Sequence, residues 1–337
     1  MIKTPEFWTT RGPLGVLLLP AACLWAGATF IRNMLAHEAR VALPVICVGN
    51  FSAGGTGKTP FSAFLYDQLV TRSFKPALLI RGYGGKARQA LWVDHSLHCA
   101  REVGDEALML AESRDVLVAS DRVAGASAIA ANGKHDVILM DDGLQHPYIA
   151  KDFSIGVFDG AIGVGNGWLL PAGPLRISFK SGIKTIDAAI INGADDTNIA
   201  ARLPDGMPLY YGNLTADQRM IDGLNDGPVL AFAGIGRPSK FFTTLRHAGA
   251  NLVHQLAFAD HHPYSEADLT RLQEDAARLG AVLMTTKKDW VRLPPEWRER
   301  VGFLPVTLGF DQKNELLDKI VAIIVEKRGN FYGGYGQ

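Results

Sequence analysis

The feature that most constrains this chain is the run SAGGTGKT at 52–59, set one residue behind the apolar segment PVICVGN at 44–50. The apolar segment is short, rich in β-branched residues and apolar on both faces, which predicts a buried strand. The glycine-rich run predicts a tight loop, and Pro60 predicts a helix beginning there, because proline is tolerated in a first helical turn. Strand, glycine-rich loop and helix in that order form a phosphate cradle. Backbone N–H groups from Ser52, Ala53, Gly54, Gly55, Thr56 and Gly57 converge on phosphate oxygens, Lys58 neutralises the β and γ charges of ATP, and the Thr59 hydroxyl ligates Mg2+. The usual pattern starts with Gly where this chain has Ser52.

Further strand-like runs at 77–80, 116–119, 137–140, 155–158 and 188–191 alternate with helical or loop segments. That alternation predicts an α/β fold, a P-loop NTPase-like, mostly parallel sheet with helices on both faces. A polar, turn-rich stretch at 215–227 reads as a hinge. After it PVLAFAGIG opens a second series, with a helix at 239–247, a strand at 251–258, a helix at 266–279 and the strand AVLMTT. The expected organisation is a membrane-associated segment at 1–40, a kinase-like core at 41–214, the hinge, and a smaller α/β domain at 228–337. The glycine-rich tail NFYGGYGQ is expected to fray.

Between Arg11 and Arg32 there is no Asp, Glu, Lys or Arg. As a helix this stretch would reach ~30 Å, about the thickness of bilayer hydrocarbon. Three readings stand: an embedded or interfacial anchor, a true span, or a buried core helix. Pro20 and the small residues weaken a span, while Trp8, Trp25 and the flanking arginines suit a headgroup region. The 34 basic and 34 acidic residues balance, so there is no global electrostatic footprint for nucleic acid. Cys23, Cys47 and Cys99 lack metal-ligand spacing and fit a reducing compartment.

HDVILMDDG delivers Asp141 and Asp142 at the carboxyl end of a predicted strand, the edge at which parallel sheets bind ligands. Adjacent residues on a strand point to opposite faces, so one acid is free to serve the metal and the other the nucleophile or a neighbouring loop. RGYGG places Arg81 at the same edge, within reach of a phosphate. GDEA places Asp105 and Glu106 at a helix start, where a carboxylate can accept a hydroxyl proton, hold a metal, or merely complement the helix dipole. Arg122 follows the next strand, and a functional and a purely structural reading stay open for it as well.

The ordered set VGN…GGTGKTP, RGYGG, GDE, DDGLQH, PAGPLR and ADHHPYS resembles the tetraacyldisaccharide 4'-kinases over nearly the whole chain. The resemblance implies transfer of the ATP γ-phosphate to the 4'-hydroxyl of a disaccharide 1-phosphate carrying four acyl chains, at the cytoplasmic face of an inner membrane. It implies Asp105 as catalytic base paired with His261, with Lys58, Asp142 and Arg122 also catalytic. Thr59, Glu106, Asp141 and Asp142 fall at Mg2+, and Arg81, Gln145, His146 and Arg176 at the lipid substrate. Without the resemblance, His261 reads as a capping or core histidine before Pro263. TTKKD at 285–289 departs from the family, which more often has an acid before Lys-Asp; this bears on any nucleotide-base role for Lys288. No obligate protein partner is implied. The competing readings are a kinase or ligase for a soluble metabolite and a nucleotide-switched membrane adaptor.

Overall fold

A computed structural model describes residues 5–224, 226–310 and 313–333. The first eight strands are β1 (Val45–Gly49), β2 (Pro76–Ile80), β3 (Leu91–Trp92), β4 (Val116–Val118), β5 (Val137–Asp141), β6 (Phe153–Asp159), β7 (Ala188–Asn192) and β8 (Leu209–Ala216). Four more, β9 (Pro228–Ala233), β10 (Asn251–Ala257), β11 (Val282–Thr286) and β12 (Val301–Leu304), precede β13 (Val306–Phe310). The large sheet runs β13-β8-β7-β6-β1-β5-β2-β4-β3, and the small sheet β10-β9-β11-β12. The small sheet is wholly parallel, and in the large one only the edge strands β3 and β13 are antiparallel to their neighbours.

Alternation along β1 shows why the large sheet is covered on both sides. Ile46 and Val48 face one core with Phe61, Leu65 and Leu69 of the helix Lys58–Thr71; Val45 and Cys47 face the other with Ala126 and Ile129 of the helix Arg122–Ala131. All five β1 residues are buried, as a doubly covered parallel strand requires. The small sheet is covered likewise, by Phe241, Phe242 and Leu245 on one face and Leu269, Leu272 and Ala276 on the other.

Three expectations are corrected. β13 and the helix Lys313–Gly333 do not stay with the smaller unit: β13 pairs with β8, and the helix lays Leu316, Leu317, Ile320 and Ile324 into the core of the large sheet. The chain therefore crosses between units twice. The stretch expected to be a hinge begins inside β8, and Asp217 N–H donates to Pro305 O at 2.9 Å, so the outgoing and returning connections lie side by side. The same helix runs through Gly333, into the tail expected to fray, and the last four residues lie outside the described residues.

The uncharged amino-terminal stretch forms two helices, Pro13–Leu17 and Leu19–Met34, that join at Leu18. The second, at 16 residues, is about 24 Å long. Among the described residues no helix is long and apolar enough to cross a membrane, which removes the true span. A buried core helix is removed as well, since Leu17, Leu24, Phe30, Ile31, Met34 and Leu35 are all exposed.

Candidate active site

Because the inner strands of the large sheet are parallel, the ends of β1, β2, β4, β5, β6 and β7 meet at one edge, and most of the residues singled out above come from there. The loop after β1 folds back on the segment behind it. Ser52 bridges to Leu175 and Ala53 N–H donates to Pro174 O at 2.8 Å. Ser52 sits in ordinary extended pairing, so the first loop position has no need of glycine. Gly57 does need it, with φ of +93° and a site where a Cβ would lie 2.4 Å from Asn192 Nδ2. That amide donates to Thr56 O at 3.1 Å, tying the loop to the end of β7. The helix starts at Lys58, two residues before Pro60.

The two aspartates diverge, one at the end of β5 and one in the turn beyond it. Asp141 ends β5 and points to the helix, accepting from Thr59 Oγ1 at 3.1 Å and Ser62 Oγ at 2.9 Å. Asp142 turns at φ +55° and accepts from Arg176 Nη1 at 3.1 and 3.0 Å, with Lys58 Nζ at 3.8 Å. Burial pushes the Asp141 carboxyl up to about 6, only partly offset by Lys58 and reinforced by Glu106 and Asp142. For Asp142 burial also acts upward, but Lys58 and Arg176 outweigh it and hold the group below the ordinary carboxylate range.

Arg122 is 2% exposed, donates from Nη2 to Asp141 O at 3.2 Å, and has an Nη1 without a partner. Burial draws its guanidinium down to about 10 against the pull of Asp141 and Asp142. Arg81 follows β2, is exposed, and its charge bears on Arg122. Gln145 Nε2 donates to Asn50 O at 2.7 Å. His146 is drawn down to about 4 by burial and by the charges of Arg122 and Lys151, and its Nδ1 is buried without a partner. The amino-terminal helix lies against this group: Arg32 Nη2 donates to Gln145 O at 3.0 Å and Trp25 Nε1 to Arg176 O at 3.2 Å.

Asp105 and His261 come from different units and meet. His261 Nδ1 stands 2.9 Å from Asp105 Oδ2, while the carboxylate is 5% exposed at the start of the helix Asp105–Leu110. Burial alone would raise Asp105, but the His261 hydrogen bond and the charges of Lys288 and Arg292 outweigh it and hold the carboxyl well below its ordinary value. The neighbouring His262 points elsewhere, to Asp268 Oδ2 at 3.1 Å. Lys288 Nζ donates to Glu106 Oε1 at 3.1 Å, a contact with an acid of the large unit.

Three cations at the junction of the units were not singled out in the sequence. Arg292 grips Asp105, with Nε donating at 2.8 Å. Arg237 and Lys240 both pair with the buried Asp159 at the end of β6, at 2.8 and 3.0 Å. Their one sequence signal was position, since Arg237 and Lys240 open a helix behind the glycines after β9.

For Mg2+, the donors at hand are hard oxygens. Among the described residues no group of three or more His, Cys, Asp or Glu is arranged to hold a metal. A magnesium that takes one or two carboxylates and fills its shell with phosphate and water needs no such group, and the buried, partly uncompensated Asp141 beside Thr59 fits that demand.

Fold and site together define a P-loop phosphotransferase whose phosphate loop lies beside a second, smaller α/β unit. Comparison with known proteins narrows the class. The profile of the family described as Tetraacyldisaccharide-1-P 4'-kinase matches residues 14–324. A Tetraacyldisaccharide 4'-kinase of Gluconacetobacter diazotrophicus is 46% identical over 92% of this chain and 94% of its own. One of Rhodospirillum centenum is 43% identical over 95% and 96%. The crystal structure of the "apo" form of LpxK from Aquifex aeolicus in complex with ATP superposes with a TM-score of 0.77 at 27% identity, covering 92% of this chain and 99% of that one. The chain belongs to the tetraacyldisaccharide-1-P 4'-kinase family.

Proposed function

We infer that this chain transfers the γ-phosphate of ATP to the 4'-hydroxyl of a tetraacyl disaccharide 1-phosphate in lipid A biosynthesis, with Asp105 as the base. Family membership favours this activity over a soluble-metabolite kinase or a nucleotide-switched adaptor. The observation that carries the reading is the convergence of Lys58, Thr59, Asp141 and Asp142 at one sheet edge with an Asp105–His261 pair that spans the two units at 2.9 Å.

In this reading the loop 52–59 and Lys58 hold the triphosphate in line with the acceptor. Thr59 and Asp141 would hold Mg2+, with Glu106 and Asp142 close by; the ion would neutralise charge on the phosphates. Asp105 Oδ1, which takes one hydrogen bond, from Glu106 N–H at 2.9 Å, retains capacity for the hydroxyl proton. As the hydroxyl oxygen bonds to the γ-phosphorus, its proton passes to Asp105, the bond to the bridging oxygen breaks, and ADP leaves. His261 orients the carboxylate. Most of the rate comes from alignment and charge neutralisation, as is general for phosphoryl transfer. Arg122, with its unpartnered buried N–H, is suited to charge building on the transferring group, and Arg81, Gln145, His146 and Arg176 to the acceptor.

The amino-terminal helices support an interfacial anchor at the cytoplasmic face of the inner membrane. Their apolar side chains are exposed, and Trp25 and Arg32 join them to the backbone of Arg176 and Gln145. Lifting an acylated lipid out of a bilayer costs ~0.8 kcal/mol for each exposed CH₂, so the enzyme has to reach the lipid at its surface. Labelled ATP with the acylated disaccharide 1-phosphate in mixed micelles is expected to yield label on the distal sugar. ADP formation without labelled lipid, from folded protein that binds ATP, contradicts the reading.

A further inference from the structure

Arg292 is 8% exposed where the units meet, and its planar fork is engaged on both sides. Toward the large unit, Nε and Nη2 both donate to Asp105 Oδ2. Toward the small unit, Nη1 donates to Asp289 Oδ1 at 2.9 Å and to Gly234 O at 3.0 Å. Asp289 is wholly buried and is itself fixed by Tyr264 Oη at 2.9 Å, Thr286 Oγ1 at 2.6 Å and Gly234 N–H at 3.1 Å.

The carbonyl of Gly234 has a second partner. His261 N–H donates to it at 2.9 Å, and His261 stands at φ +57°, a left-handed conformation that a histidine adopts only where its surroundings hold it. The backbone of Gly234 thus joins Arg292, Asp289 and His261 at one point, and the Arg292 fork carries that anchorage to Asp105. The two donors of a planar guanidinium on so fixed a base hold Asp105 Oδ2 in place, and the Glu106 N–H bond to Oδ1 sets the direction of the carboxylate.

We propose that Arg292 is a positioning residue for phosphoryl transfer, orienting the Asp105 carboxylate directly and His261 through the shared Gly234 carbonyl. The proposal rests on the reading of Asp105 as base. Arg292 acts through Asp105, so its loss falls on turnover and leaves nucleotide binding in place.

The test is a double-mutant cycle with the full chain, reading kcat, KM for ATP and the melting temperature. Arg292→Ala is expected to lower kcat by about 10²-fold, the effect of an ångström-scale misplacement, with KM for ATP little changed. Arg292→Lys, which keeps the charge and some of the hydrogen bonding, is expected to restore part of the loss. In an Asp105→Asn background, adding Arg292→Ala is expected to cost almost nothing further. If Arg292→Ala melts too low to assay, Arg292→Met preserves the bulk and goes through the same cycle. A penalty of equal size in both backgrounds overturns the proposal, as does a raised KM for ATP with kcat unchanged. Wild-type turnover in Asp105→Asn alone would instead refute the base reading beneath it.

Discussion

Replacing Asp289 with alanine should show how much of the junction depends on one buried carboxylate. Asp289 is 0% exposed and accepts four hydrogen bonds, from Gly234 N–H, Tyr264 and Arg292 on Oδ1 and from Thr286 on Oδ2. Its removal takes an acceptor from the buried Tyr264 hydroxyl and leaves Arg292 Nη1 only the Gly234 carbonyl, with the guanidinium charge uncompensated on that side. A neutral hydrogen bond contributes ~1 kcal/mol and one to a charged group ~1.5–3 kcal/mol. These terms overlap, and breaking a buried ion pair from one side costs ~3–5 kcal/mol in all. Against a typical total of ~5–15 kcal/mol this is a large share. In a unit the size of the small sheet and its helices, such a loss lowers the melting temperature by ~10 °C or more. Asp289→Asn, which keeps one acceptor oxygen, should lose less. Thermal unfolding combined with hydrogen exchange measures the effect and locates it, because amides of β9 and β11 should exchange faster while those of β1 and β5 do not. A melting temperature within a degree or two of wild type, or loss of protection spread evenly over both sheets, would refute the reasoning.

Three other perturbations probe separate parts of the account. Gly57→Ala puts a Cβ against Asn192 at a φ of +93°, so ATP affinity should fall at least tenfold by isothermal titration, and unchanged affinity would mean the loop does not hold this shape. Leu24→Glu with Phe30→Glu removes two side chains that are 77% and 66% exposed; each is worth ~1.5–3 kcal/mol if buried in lipid, so vesicle binding should weaken by about 10²-fold or more with melting unchanged. Burial pushes the Cys47 thiol up to about 12, so at pH 8 almost none of it is thiolate; iodoacetamide should label the exposed Cys23 and Cys99 and spare Cys47 by mass spectrometry until the protein is unfolded.

The parts of the fold that were legible in the sequence are those written in local chemistry. PVICVGN, HDVILMDDG and the runs at 155–158 and 188–191 are apolar on both faces, and each is a buried parallel strand. The helix at 266–279 was readable to the residue, because Ser265 and Asp268 form a capping box and Gly280 ends it at φ +59°. What escaped depends on long-range partners. VTLGF at 306–310 is a plausible strand in either sheet, and only the pairing with β8 and the packing of Leu308 and Phe310 assign it to the large one. The break at Leu18 was foreshadowed by Pro20, but the placement of the following helix against Gln145 and Arg176 rests on two side-chain hydrogen bonds across more than a hundred residues. Arg292 follows KKDWV, which reads as an ordinary charged turn. Its partner Asp105 lies 187 residues earlier, and no local pattern links them. Asp141 and Asp142 were expected to diverge from strand pleating, but Asp142 lies past the end of β5 at φ +55°, so its direction is set by that turn and by Arg176, a partner not encoded nearby.

We propose an ATP site at the edge of the large sheet where Asp105, paired with His261 of the small unit, acts on the acceptor hydroxyl. The measurement that tests it most directly is kcat for lipid phosphorylation set beside ATP affinity in Asp105→Asn. Loss of a positioned base predicts a fall in kcat of ~10²–10⁴-fold with ATP affinity held. Wild-type turnover, or a loss of ATP affinity that accounts for the whole defect, would contradict it.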